Sequence, residues 1–214
     1  MLNLAPSLLI SRVFTLLIAL TIHEFSHAYI ADRFGDDTAR MNGRLTLNPL
    51  KHLDLIGSLL LIVAGFGWAK PVPVNPAALR RHSRSALMWV SLAGPASNFL
   101  MAVAAAIPLR LKLVPWVASS TFLPSPAEFL ITFFSINLVL MLFNLIPFAP
   151  LDGEKILEFL LPQEWAEKYR LLQPYGPILL MVLVFVAPRL GFDLIGAVLT
   201  PVITFFQQIL IGVS

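Results

Sequence analysis

Apolar residues run through this chain in long blocks rather than in alternation. The blocks fall near residues 8–30, 55–67, 87–109, 127–149, 175–188 and 192–213, and polar residues gather between them. A helix needs about 20 apolar residues to cross the hydrocarbon core of a bilayer, and the first, third and fourth blocks reach that length. Residues 55–67 would cover only about 20 Å as a helix. They are expected to dip into the membrane and return, or to pack as a short buried helix. The last two blocks, parted by Pro188 and Arg189, form two spans or a broken pair. Alternation is confined to Arg40–Asn48, just before Pro49, and reads as an edge strand or as an ordinary loop. The pattern predicts an all-α polytopic membrane protein of about five to six transmembrane or membrane-embedded helices, with a short β-strand or re-entrant element within 40–76. The connections are too short for a separate soluble domain. One membrane-embedded domain over 1–214 is expected, with a core at about 8–160 and accessory helices at about 175–213.

Composition removes the soluble alternatives. Hydrophobic residues make up 57% of the chain and charged residues only 13%, where a soluble domain carries about a quarter charged. Mean hydropathy is +0.81. Disorder needs the opposite balance, and a membrane β-barrel needs alternation. The net charge of +3 is no argument for nucleic acid, because basic residues of membrane proteins mark cytoplasmic loops. If the first span runs outside to inside and 55–67 does not cross, then 31–54, 68–86 and 150–174 lie inside. Those loops hold Arg33, Arg40, Arg44, Lys51, Lys70, Arg80, Arg81, Arg84, Lys155, Lys168 and Arg170, against Arg110, Lys112 and Arg189 on the outer side. The first block has no Lys or Arg before Arg12 and runs on into His23 and Glu24, so it reads as a retained helix rather than a cleaved signal. The absence of cysteine excludes thiolate zinc sites and cysteine nucleophiles.

Chemistry concentrates at two places. His23-Glu24-Phe25-Ser26-His27 is an H-E-x-x-H sequence inside an apolar helix. Histidines at i and i+4 share a helical face and can bind one zinc ion, with the intervening glutamate placed to accept a proton from the attacking water. The bland alternative is a hydrogen-bonded cluster in a helix bundle, but ionisable groups within a membrane are costly and usually functional. A third protein ligand is required. Ile30 and Arg33 stand where an extended motif would place glycine and a third histidine, and His52 and His82 lie among basic residues and read as interfacial. Asp152 is the better candidate: it follows Pro147 and Pro150 at the end of the fourth block, on the side where His27 emerges. Its other reading is an N-cap for the next helix.

Taken together, these residues resemble the site-2 protease family of intramembrane zinc metalloproteases. The resemblance covers about residues 12–160. It is carried by His23-Glu24 with His27, by Asn144, Pro147 and Pro150 through Asp152-Gly153, and by Gly57 to Leu61. Gly67-Trp68-Ala69-Lys70-Pro71 through Pro76 and Ala93-Gly94-Pro95-Ala96-Ser97-Asn98 extend it to the compact members that lack PDZ or CBS domains. It implies one Zn2+ per chain on His23, His27 and Asp152, with Glu24 as catalytic base. It also implies a membrane-protein substrate with a transmembrane helix, and a prokaryotic cell membrane with the site opening to the cytoplasmic side. Asn144 would donate to the substrate carbonyl or oxyanion, or make an interhelical amide bond. Asn98 is either a substrate contact or a packing residue. Arg44-Leu45-Thr46-Leu47 would pair with an unwound substrate if it forms a strand. Two other classes remain: a zinc transporter, which would be expected to line its route with more ligands, and an inactive relative that escorts transmembrane helices. Oligomeric state is not legible.

Overall fold

The computed structural model describes residues 4–54, 57, 60 and 67–212. The predicted embedded segment 55–67 lies outside the described residues, apart from Gly57, Leu60 and Gly67. Helix α1 spans Pro6–Arg33, and its proline sits in the first turn, where a missing N–H costs nothing. Its buried face repeats every fourth residue: Ser7, Ser11, Thr15, Ala19, His23, His27 and Ala31. Small side chains along this stripe let neighbouring helices approach closely. Helix α2 is one turn, Thr38–Met41, and α3 spans Pro76–His82.

Helix α4, Ala86–Arg110, and helix α5, Pro126–Asn144, pack against each other and against α1. Alanines 102, 105 and 106 of α4 receive Phe134, Leu138 and Met141 of α5, small against large, in one buried cluster. Ser125 caps α5, its hydroxyl accepting from the Glu128 N–H at 3.2 Å. Beyond α5 come α6 (Asp152–Leu160), α7 (Gln163–Leu172), α8 (Gly176–Met181) and α9 (Leu194–Leu210). Among the described residues, four helical stretches are long and apolar enough to cross a membrane: Pro6–Arg33, Ala86–Arg110, Pro126–Asn144 and Gln163–Val186, with Leu194–Leu210 shorter. Lipid would cover the exposed large apolar side chains along them, such as Phe14, Leu100, Val139 and Ile178.

Two expectations change. The 150–174 stretch is not a loop but two amphipathic helices, α6 and α7, the second forming the first part of the fourth candidate span. The strand at 40–48 does not form. Among the described residues the sole β pairing is an isolated antiparallel bridge between Leu53 and Ala69. Gly43, at φ +62°, closes α2 by letting Arg44 N–H reach the Ala39 carbonyl at 2.8 Å. That left-handed turn reverses the chain where a strand would have to stay extended.

Candidate metal centre

His23 and His27 lie one turn apart on the buried face of α1, and each has one ring nitrogen committed. His27 Nδ1 is 2.7 Å from the Val90 carbonyl of α4. A carbonyl can only accept, so this nitrogen carries the proton. His23 Nδ1 lies 2.6 Å from Asn98 Oδ1. The Asn98 amide donates to Asn137 Oδ1 at 2.9 Å, and the Asn137 amide donates to the Phe133 carbonyl at 2.9 Å. That last carbonyl fixes the orientation of the whole chain, so His23 Nδ1 is also a donor. Both Nε2 atoms are left as bare acceptors.

The two bare nitrogens face each other at 3.0 Å, and Asp152 Oδ2 lies 3.2 Å from one and 3.3 Å from the other. Asp152 is a carboxylic acid, a group whose ordinary titration range lies well below neutral pH. It is therefore a carboxylate near neutral pH. Asp152 Oδ2 is buried and has no hydrogen-bond partner among the described residues. Three acceptors held this close repel one another unless a cation sits among them. Tetrahedral zinc with bonds of 2.0–2.1 Å separates its ligand atoms by about 3.3–3.4 Å, so the observed triangle fits one face of such a site. Among the described residues these three are the one group of His, Cys, Asp and Glu within metal-binding reach of each other.

Two glycines make the approach possible. A Cβ on Gly94 would lie 2.4 Å from His27 Nε2 and 2.5–2.6 Å from His23 ring atoms, and one on Gly153 would lie 2.3 Å from the Leu145 carbonyl. Bare backbone at 94 thus admits both imidazoles, and bare backbone at 153 lets α6 fold back on the end of α5 and carry Asp152 inward. Asp152 does not act as an N-cap. Leu151 holds the cap position, no side chain caps the helix, and Asp152 is its first residue.

Glu24 is buried, and its Oε2 accepts from the Val72 N–H at 2.9 Å. The backbone of the Pro71–Pro76 stretch therefore holds Glu24 in place. Two clamps hold that stretch in turn: Arg44 donates to the Lys70 carbonyl at 2.5 Å, and buried Asp36 accepts from the Asn75 N–H at 2.6 Å. Arg44 is thereby turned inward, Leu45 packs on Ala28, Ala39 and Val72, the Thr46 carbonyl is taken by His52 Nε2 at 2.7 Å, and Leu47 faces out. Residues 44–47 form no strand. Asn98 is fully buried behind His23 rather than open to a substrate. The Asn144 amide turns back to the Leu140 carbonyl at 2.9 Å. His52 is buried within the protein, and His82 is exposed and packs edge-on against Phe34. Sequence reasoning missed Val90, Val72 and Asn137. Only Asn137 left a signal, as an amide in the middle of an apolar block.

With this geometry in place, comparison with known proteins decides the family. The sequence model of Peptidase family M50 matches residues 116–184, a stretch that holds Asp152 and neither histidine. The Bacillus subtilis (strain 168) protein named "Putative zinc metalloprotease YwhC" is 46% identical over 186 residues, 85% of this chain and 83% of its own. The chain belongs to peptidase family M50. "Putative zinc metalloprotease Rip2" of Mycolicibacterium smegmatis is 36% identical over 185 residues, 82% of this chain and 66% of its own. Its namesake in Mycobacterium tuberculosis H37Rv is 34% identical over 191 residues, 85% and 69% of the two chains. No solved structure matches. This M50 chain is thus a zinc metalloprotease of the site-2 protease type, built on apolar helices of membrane-crossing length.

Proposed function

We propose that the chain is an intramembrane endopeptidase that cleaves transmembrane or membrane-proximal segments of other membrane proteins. His23, His27 and Asp152 would hold one zinc ion, and Glu24 would serve as general base. The observation that carries this reading is the triangle of three bare acceptors beside a buried carboxylate on the same helix turn.

When bound there, zinc would supply Lewis acidity to the scissile carbonyl and to the attacking water. The protein's own groups do the rest. The Val90 carbonyl and the Asn98–Asn137 pair keep both imidazoles in the ligating tautomer. Val72 N–H occupies Glu24 Oε2, which leaves Oε1 to accept the water proton as attack begins. Glu24 then returns that proton to the leaving amine. The α6–α7 side, where Asp152 enters, is the face from which water would arrive, and the excess of Lys and Arg on that side supports reading it as the cytoplasmic face. Glu24→Gln keeps the size of the side chain and removes its basicity. Cleavage of a transmembrane substrate in proteoliposomes should fall by about 10²–10⁴-fold while zinc content stays at the wild-type value. Substantial turnover in that variant would remove Glu24 from the role.

A further inference from the structure

A cavity of about 440 Å³ lies between α3, the start of α4, α6 and α7, within the size range of small-ligand sites. It is separate from the metal centre, since none of His23, His27 and Asp152 lines it. Its walls carry four cations, Arg80, Arg84, Lys155 and Arg170, against the carboxylates Glu158 and Glu167. Lys155 is answered by Glu154 at 2.6 Å and Arg170 by Glu158 at 2.8 Å. Arg80 has only a 3.3 Å bond from Nε to the Pro76 carbonyl of its own helix, and Arg84 makes no hydrogen bond or ion pair among the described residues. Two guanidinium groups without a carboxylate partner therefore face one cavity.

Basic residues beside a span orient it wherever their side chains point. Arg81, between these two arginines, serves that purpose from outside the cavity, whereas Arg80 and Arg84 line it. A planar guanidinium matches phosphate in two-pronged hydrogen bonding. A soluble phosphate would have no use for Leu87, Met88 and Phe159 on the same walls. Arg84 also stands two residues before α4 enters its apolar span, the height at which lipid phosphates lie.

We propose that this cavity binds the headgroup of an anionic phospholipid, with Arg80 and Arg84 holding its phosphate and the apolar lining meeting the start of its acyl chains. The occupant would bridge α4, whose Val90 carbonyl orients His27, and α6, which carries Asp152. It would thereby steady the metal centre, a consequence that rests on the proteolytic reading above, whereas the lipid site itself does not.

The test is native mass spectrometry of the full chain released from nanodiscs of phosphatidylglycerol mixed with phosphatidylcholine. Wild type should retain phosphatidylglycerol preferentially, by about 30-fold for two arginines near the surface. Arg80→Gln/Arg84→Gln should lose that preference, and Arg81→Gln should keep it. Arg84→Gln alone, in an exposed residue without a partner, guards against a folding failure of the double variant and should lose part of the preference. Zinc release into a chelator should be slower in phosphatidylglycerol than in phosphatidylcholine. Equal retention of both lipids by wild type, or an undiminished preference in the variants, overturns the proposal. Displacement of the lipid by inorganic phosphate at about 10 mM assigns the cavity to a soluble phosphate instead and overturns it equally.

Discussion

Asn98 never meets the metal position, yet it decides what His23 can do. Its Oδ1 pins Nδ1–H at 2.6 Å and leaves Nε2 bare, and without it the imidazole is free to rotate or to switch tautomer. Asn98→Ala is expected to weaken zinc binding about 10–100-fold, read as faster zinc loss to a chelator, with the helices still folded by circular dichroism. Unchanged zinc retention would reduce Asn98 to packing. The residue scale is also where sequence reading was strongest. His23, Glu24 and His27 sit within one helical turn, so their geometry is local and follows from spacing alone. Asp152 was reachable only jointly, as the one acidic residue at a proline-broken helix end on the right side of the membrane. Val90 and Val72 were out of reach, because a backbone carbonyl or amide carries no residue-type signal and its use is set by tertiary packing.

At the scale of elements, α1 carries a polar stripe that the metal centre does not use. Ser11 and Thr15 are fully buried, and their hydroxyls have no partner among the described residues, unlike Ser26, which turns back to the Ile22 carbonyl at 2.7 Å. A buried unpaired hydroxyl costs about 1–3 kcal/mol. Thr15→Val keeps the shape and removes the orphan, so it should raise the thermal midpoint in detergent; a lowered midpoint would mean that the hydroxyl is satisfied. The long apolar helices were legible because bilayer thickness dictates their length. The short elements were not. The alternation of 40–48 reads equally as an edge strand or an ordinary loop, and Gly43 in a left-handed turn with the inward pull of Lys70 on Arg44 decides against the strand. The amphipathic α6 and α7 looked like loop because their charges, among them Lys155, Glu158 and Arg170, outweigh a narrow apolar face. Those charges pair across the helices instead, Arg170 with Glu158 at 2.8 Å.

At the scale of the whole molecule, the ends of α1 and α5 that hold the candidate site must lie on one side of the bilayer, the proposed cytoplasmic side. The chain has no cysteine, so single cysteines report topology without background. A membrane-impermeant maleimide should label Leu123→Cys, between α4 and α5, in intact cells. It should reach Leu160→Cys, at the end of α6, only after permeabilisation. Both positions are well exposed, at 71% and 67%; the reverse labelling order would invert the proposed orientation. The central claim is that residues from the two ends of the core, 23 and 27 on α1 and 152 on α6, hold one metal ion together. Zinc content of the purified protein, after dialysis against a weak chelator and beside Asp152→Ala, tests it directly. The account predicts about one zinc per wild-type chain and its loss in the variant, as expected where three protein ligands make the site. Equal zinc in both proteins, or none in the wild type, would contradict it.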